Sequence, residues 1–413
     1  MPADQASVRR ANLSLVLRHL REHGPRSRAA VAAGTGLNKT TVTSLVAELQ
    51  ARGLVREGGP QHEGAVGRPG LALALRGSTV AALGVEVNVD YIASFATDLG
   101  GRILIDRRLS FDAMGSSPEH TLAHLAGVIK DAAGDLDGLG VTLAGITIAV
   151  PGLVDVGRGR VGVAPNLGWH DVPIVGHLRR SGLPEVPITV DNDANLAALA
   201  EYTSGVAAGT PDLVCLTGEV GVGGGIITGG RLLGGADGFA GEVGHIMVDP
   251  AGERCGCGRV GCWETKVGLA ELVRAVTPGH AYRTHLRDPE ERLAEIEQRL
   301  DAGDPRAAGA VAEVARWLGR GAAILVNLLN PRVIVLGGYF ARLAGLLIPL
   351  AAAELGRVGM SDPARRCRFA ASDLGFGAAS RGAAGVVVER VLSDPTTVPI
   401  RAAPPLHQPH GRR

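Results

Sequence analysis

The chain has 413 residues, 46% of them hydrophobic but only 3% aromatic, and 60 are glycine. That length allows two or three domains, with cores built from Ala, Val and Leu in close backbone packing rather than around rings. A formal charge of +1 excludes a uniformly basic nucleic-acid binder, and five cysteines in so long a chain exclude a disulfide scaffold. Cys215 and Cys367 stand alone and are expected to be small buried hydrophobes. The first twenty residues lack the apolar segment of a signal peptide, and no uncharged apolar run is long enough for a membrane span. A cytoplasmic protein with no membrane contact is expected.

Leu13, Val16, Leu17 and Leu20 repeat at helical spacing, and Gly24-Pro25 ends the helix. Ser27 caps a short second helix, and Gly34-Thr35-Gly36 makes a turn. Asn38 caps a third helix with Val42, Leu45, Val46 and Leu49 as its apolar stripe, stopped by Gly53. This is the order of a helix-turn-helix. Lys39, Thr40, Thr41, Thr43 and Ser44 crowd the start of the third helix. Short hydroxyls and a cation there suit the phosphates and base edges of double-stranded operator DNA. The stretch "LVREGGPQHEGAVGRPGLALAL" then reads as two short strands around a glycine-rich loop, the wing of a winged helix. Arg68, in Gly67-Arg68-Pro69-Gly70, suits insertion into a minor groove. Residues 1–76 hold eleven basic and five acidic side chains, so the neutral total hides a basic module.

From Val80 the pattern changes. "AALGVEVNVDYIASFATDLGGRILIDRRLSF" reads as three strands joined by turns, followed by a helix near 118–133. "GVTLAGITIAVPGLVD" is a buried strand ending at Pro151-Gly152. "PITVDNDANLAALAEYTSG" runs from strand into helix, with Asp191-Asn192-Asp193 at the junction. "LVCLTGEVGVGGGIITGG" is a strand, a glycine-rich loop and a strand, and "VNLLNPRVIVLGGYFARL" is helix, strand and helix. Strands alternating with helices imply an α/β fold, which places ligands at the C-terminal ends of its strands. The expected organisation is a winged helix at 1–78, an α/β domain at 79–393 and a disordered Pro-rich tail at 394–413.

Two adjoining segments carry the chemistry: "GFAGEVGHIMVDP" and "CGCGRVGCWE". His245, Cys255, Cys257 and Cys262 offer one nitrogen and three sulfurs, a closed tetrahedral set of the kind that holds structural Zn2+. With all four positions filled by protein, no site remains for a reactive water, and metal-based hydrolysis is disfavoured. The two segments resemble the ROK family of repressors, open reading frames and sugar kinases. That resemblance runs from about residue 80 to 390, and the head resembles the winged helix of ROK repressors. It implies a two-lobed, actin-like fold of the sugar-kinase type, with a sugar in the cleft, and a homodimer or homotetramer. It further implies that Asn166, Asn192, Asp193, Glu242, His245 and Glu264 hydrogen-bond sugar hydroxyls. Carboxylates and amides suit a polyol because they accept and donate in fixed geometry. Trp169 is expected in the core rather than against a sugar ring.

Asp193 matches the position of the family's catalytic base. The phosphate-binding parts depart from the kinase pattern. An Asp-x-Gly-Gly-Thr-Lys turn is replaced by Glu86-Val87-Asn88-Val89-Asp90-Tyr91, and Glu219-Val220 stand where kinases carry Gly-Thr-Gly. Phosphoryl transfer depends on neutralising phosphate charge, so no catalytic residues and no enzyme activity are expected. The expected function is a sugar-responsive transcriptional regulator, a repressor. The alternative is a ROK-type sugar kinase that kept ATP-dependent phosphorylation. A DNA-bound scaffold with a vestigial cleft is disfavoured, because an unused cleft has no need of so many polar groups.

Overall fold

A computed structural model describes residues 4–60, 71–278 and 289–400. The head consists of α1 (Gln5–His23), β1 (Arg26–Ser27), α2 (Arg28–Thr35), α3 (Lys39–Ala51), β2 (Val55–Pro60) and β3 (Leu71–Leu75). Asp4, Ser27 and Asn38 cap the three helices through their side chains, and Gly36 ends α2 in the left-handed conformation. The sheet order β1-β3-β2 adds a third strand to the expected wing hairpin. Arg68 lies outside the described residues.

The first lobe begins with β4 (Val80–Val87), β5 (Tyr91–Asp98), β6 (Ile103–Ser110) and α4 (Pro118–Gly138). It continues through β7 (Thr142–Val150), β8 (Leu153–Asp155), β9 (Arg160–Ala164), β10 (Trp169–Val172), α5 (Ile174–Arg179), β11 (Ile188–Asn192) and α6 (Asp193–Thr203). The second lobe has β12 (Leu213–Gly218), β13 (Val222–Thr228), β14 (Arg231–Leu232), α7 (Glu264–Val267), α8 (Leu269–Val276) and α9 (Pro289–Asp301). It closes with α10 (Pro305–Leu329), β15 (Val333–Gly338), α11 (Tyr339–Arg342), α12 (Ala344–Val358), α13 (Ser361–Arg366), β16 (Arg368–Ala371) and α14 (Ala378–Ser393).

The two main sheets are topological copies. Their orders are β6-β5-β4-β7-β11 and β14-β13-β12-β15-β16. In each, three antiparallel strands are extended by two parallel ones. Trp169 is fully buried in the first lobe's core with the strands and α4, as expected from its neighbours. Cys215 is buried, while Cys367 is only partly so. Among the described residues no helix is long and apolar enough to cross a membrane.

α14 is the central strut. It packs against β4 and β7 on one side and α6 on another. A side-chain carbon at Gly382 would lie 1.9 Å from the Leu196 carbonyl oxygen, so the two helices meet backbone to backbone. The glycines of β13 serve the same end: a Cβ at Gly225 would fall 2.3 Å from the Ala194 carbonyl oxygen of α6. Gly223 and Gly225 therefore pack against α6, whereas Gly224 faces Val243 and the Gly241 carbonyl.

The head does not hang on a linker. Leu13, Val16, Leu17 and Leu20 of α1 share one hydrophobic cluster with Val387, Val388, Val391 and Leu392 of α14. Part of the expected tail belongs to this cluster too. Pro395–Thr397 form a 3-10 turn, and Val398 is 1% exposed. Burial of Val398 and capture of nearby carbonyls by Arg52 override the Pro-rich composition of residues 394–400. Residues 401–413 lie outside the described residues.

These contacts predict opposite outcomes for two glycine substitutions. Gly382→Ala must displace backbone and should cost about 1–3 kcal/mol. Gly127→Ala on α4, where nothing lies within 4 Å, should stabilise, by about 0.4–1 kcal/mol. Denaturant melts of both variants measure the difference.

Candidate functional site

A cavity of about 270 Å3 opens between the lobes, where the C-terminal ends of β7, β11 and β12 converge. Asn166, Asn192, Asp193, Glu242, His245 and Glu264 all line it. These six come from four separate parts of the chain. Asn166 sits on the 3-10 turn before β10. Asn192 and Asp193 sit at the β11–α6 junction. Glu242 and His245 flank a 3-10 turn after β14, and Glu264 starts α7. Asn192 is also structural: its amide donates to Gly152 O at 3.0 Å and accepts from Asn195 N at 3.0 Å.

Sequence reasoning did not place Asn88, Thr217, Glu219 or Arg259 in the cavity, which they also line. Asn88 and Glu219 were visible as departures from the kinase pattern, but nothing in the sequence says that they meet. In the structure the Asn88 amide of the first lobe donates to the Glu219 carboxylate of the second. Asn88 also donates to Tyr91 Oη at 3.2 Å and to Glu86 Oε1 at 3.3 Å, and Tyr91 Oη donates to Glu86 Oε1 at 2.6 Å. Two ion pairs cross the same gap, Arg292–Asp90 at 3.8 Å and Arg108–Glu290 at 2.6 Å. Asp90 is thus held against α9.

This side of the cleft is acidic. Burial pushes Glu86 up to about 7, with Asp193 adding to it. Burial likewise raises Asp193 to about 6, and burial followed by the Glu86 and Asp193 charges raises Glu219. Glu242 is pushed up to about 7 by burial, then by Asp193 and Glu264. A polyphosphate would meet the Asp193 and Glu219 carboxylates here, which oppose phosphate charge.

His245, Cys255, Cys257 and Cys262 come together as expected, with their ligand atoms all within 4.8 Å of one another. The Cys255 Sγ–His245 Nδ1 and Cys257 Sγ–Cys262 Sγ distances are both 3.6 Å. With Zn–S near 2.3 Å and Zn–N near 2.05 Å, the edges of a regular tetrahedron are about 3.8 Å for S–S and about 3.6 Å for N–S. The cluster therefore has the donors and the spacing to hold such a metal ion. Burial and the Glu264 carboxylate push the Cys255 thiol up; a divalent cation reverses this, since coordinating thiols ionise. Two bridges, Met247–Cys262 and Arg254–Val260, shape the loop, and buried Trp263 anchors it by donating Nε1–H to Trp317 O at 2.9 Å. The His245 ring divides between two tasks. Nδ1 faces Cys255, while Nε2 lies 3.8 Å from Glu242 on the cleft side.

On α3, Lys39, Thr40, Thr43 and Ser44 are exposed. Thr43 Oγ1 donates to Lys39 O at 2.9 Å, and Ser44 Oγ accepts from Arg9 at 3.4 Å. Thr41 turns toward α1, where it lines a groove with Arg9, Asn12 and Leu45.

Glu86 generates a pH prediction. It is fully buried, and its Oε2 has no hydrogen-bond partner among the described residues. Below its ordinary value of 4.5 it is protonated in both folded and unfolded chains. Between 4.5 and about 7 the unfolded chain releases a proton that the folded chain keeps, so stability falls as pH rises. Glu86→Gln should remove that loss. Its melting temperature should exceed wild type by about 2–4 °C at about pH 8 and match it at about pH 4.5. Thermal melts at the two pH values check this.

Comparison with known proteins agrees with this architecture. A sequence profile described as the ROK family matches residues 82–390, and one described as the MarR family matches residues 14–64. The xylose repressor of Bacillus subtilis (strain 168) is 29% identical over 392 residues, covering 94% of this chain and 98% of its own. A crystal structure of a ROK family transcriptional regulator, homolog of the E. coli MLC protein, superposes with a TM-score of 0.76 at 25% identity. The match covers 94% of this chain and 97% of that one. A ROK family glucokinase from Streptomyces griseus, in complex with glucose and AMPPNP, gives a TM-score of 0.63 at 32% identity, covering 74% and 98%. The chain belongs to the ROK family and carries the helix-turn-helix head of that family's transcriptional repressors.

Proposed function

We propose that this ROK chain is a sugar-responsive repressor that binds operator DNA through its winged helix and a monosaccharide in the interlobe cleft. The observation that carries this is convergence. Six polar side chains from four parts of the chain meet in one cavity, and the helix-turn-helix head shares a core with the domain that holds them. Asn166, Asn192, Asp193, Glu242, His245 and Glu264 supply the acceptors and donors for sugar hydroxyls. Lys39, Thr40, Thr41, Thr43 and Ser44 are the residues proposed to meet the major groove, and Arg68 the minor groove. Two heads on a homodimer or homotetramer would read the two halves of an operator. The protein acts in the cytoplasm, where DNA and sugar are both present. Residues 1–78 form the head and residues 79–393 the sensor.

The metal is Zn2+, held by His245, Cys255, Cys257 and Cys262. Bound there, it supplies rigidity and charge rather than a reactive water. The protein's contribution is to fix His245 between the metal and the cleft, with Glu242 and Glu264 on either side. Xylose is the leading effector, from the name of the Bacillus relative; glucose is the second, from the kinase complex.

Catalysis by the same cleft is the competing function, since glucokinase shares the fold. The acidic set of Glu86, Glu219 and Asp193 speaks against it, because developing phosphoryl charge needs cations. A coupled assay with ATP and D-xylose, D-glucose or N-acetylglucosamine should yield no sugar-dependent ADP. ADP formation abolished by Asp193→Asn would establish a kinase instead.

Sugar binding is read by thermal shift. At about 100 times its dissociation constant the effector should stabilise the protein by about 2.7 kcal/mol, and Glu242→Gln should remove the shift. Anisotropy on an operator duplex should show the same sugar weakening DNA binding. Metal analysis of the purified protein should find close to one zinc per chain, lost in Cys257→Ser. Zinc-free protein with all three loop thiols freely alkylated would remove the metal from the account.

A further inference from the structure

Arg52 follows the last turn of α3, the helix proposed to read DNA, and its side chain is only 12% exposed. Its guanidinium faces two ways. Nε and Nη2 donate to Glu48 Oε1 on α3, at 3.2 and 2.8 Å. Nη1 donates to Thr396 O at 3.1 Å and Val398 O at 2.5 Å, beyond the end of α14. Glu48 in turn accepts from Arg9 of α1 at 2.7 Å. The short segment receiving Arg52 is itself built. Asp394 Oδ1 accepts from Thr396 N at 3.0 Å, and Val398 is buried among head residues. Arg18 of α1 adds a second tie, to Glu389 and to Ser393 Oγ at 2.8 Å.

The other end of this path is the cleft. Asn192 caps α6 and Asp193 opens it, and both line the cavity. α6 meets α14 at Gly382 without intervening side chains. Close-packed backbone contacts of this kind pass on displacement instead of absorbing it. From α14 the route runs through residues 394–398 to Arg52, Glu48 and α3.

We propose that Arg52 is a positioning residue that ties the DNA-reading helix to residues 394–398, making this C-terminal segment the output element of the sensor. The planar fork is what suits it: one face pairs with a carboxylate while another N–H holds two carbonyls. A lysine at the same position can satisfy Glu48 but cannot span both. The proposal rests on the sugar-responsive reading of the cleft for its input, whereas its output half stands on DNA binding alone.

The test uses the full chain as wild type, Arg52→Ala and Arg52→Lys, with an operator duplex selected from random DNA and D-xylose or D-glucose as effector. Backbone hydrogen exchange is the first readout. The operator should slow exchange across residues 386–398 in wild type but not in Arg52→Ala, measured at saturating DNA for both. Anisotropy is the second. Sugar should change the operator affinity of wild type by about 5–150-fold, the ordinary range of coupling between sites. That change should shrink below about 3-fold in Arg52→Ala, while the thermal shift with sugar stays as in wild type. Arg52→Lys keeps the Glu48 pair and guards against misfolding; it should bind unliganded DNA like wild type and lose most of the sugar effect. An operator effect confined to residues 4–76 in wild type, or an undiminished sugar effect in both variants, overturns the proposal. If no sugar changes wild-type DNA affinity, yet the operator-induced protection is present and lost in Arg52→Ala, sugar control falls and the Arg52 tie stands.

Discussion

Everything in this molecule turns on α14 having no room to spare. A Cβ at Gly84 of β4 would lie 2.0 Å from the Ser380 carbonyl oxygen, and one at Gly382 would lie 1.9 Å from that of Leu196. One helix is thereby pressed to the first lobe's sheet and to α6 at once, while its C-terminal half fills the core of the head. The composition makes this possible. A chain rich in Gly and Ala and poor in aromatic rings can bring backbones close, and close backbones leave few ways for two elements to move independently. The head, the first lobe's sheet, α6 and the segment after α14 are consequently parts of one mechanical object.

The cleft explains how a kinase fold can serve a different purpose. Kinase chemistry asks the protein to hold several negative oxygens near one another and stabilise them. Here Asp193 and Glu219 line the cavity with Glu86 buried nearby, and burial drives all three toward the neutral form. The Asn88–Glu219 hydrogen bond and the Asp90–Arg292 and Arg108–Glu290 pairs then span the lobes beside these carboxylates. The sugar half keeps its uncharged and acidic hydrogen-bonding groups, which a polyol can use without any phosphate. On the proposed reading, loss of one half and retention of the other would give a sensor recognition without turnover.

How much of this was legible in the sequence follows from the range of the interactions. Helical periodicity and side-chain caps are local, so Leu13 to Leu20, Ser27 and Asn38 announced the head. The spacing of Cys255, Cys257 and Cys262 is local too, and His245 completes the set only ten residues away. The six cleft residues came from family resemblance, since their convergence from four parts of the chain has no local signature. What stayed hidden was contact across the fold. Thr41 looks like its exposed neighbours in the string, yet it faces α1. Asn88 and Glu219 are far apart in sequence and meet only across the two lobes. The Pro-rich stretch after Asp394 has the composition of a loose tail, and only the pocket for Val398 and the donors of Arg52 show why its first residues are held.

The metal loop and the Arg52 tie occupy opposite ends of one argument about coupling. A ligand shifts a conformational equilibrium only as far as it binds one arrangement better than the other. That difference must come from groups whose positions change with lobe angle. Glu242, His245 and Glu264 belong to the second lobe beside the cysteine cluster, whereas Asn166, Asn192 and Asp193 ride on the first lobe and on α6. A sugar touching both sets binds best at one lobe angle. A soft loop would adjust to the sugar at any angle and waste the difference. On the proposed reading a stiff one would transfer it to α6, from there to α14, and through the residues gripped by Arg52 to the DNA-reading helix. On that reading, rigidity at the His245–cysteine cluster and rigidity at Arg52 are thus two requirements of the same transmission, and weakening the Arg52 tie should leave both binding sites intact while separating them from one another.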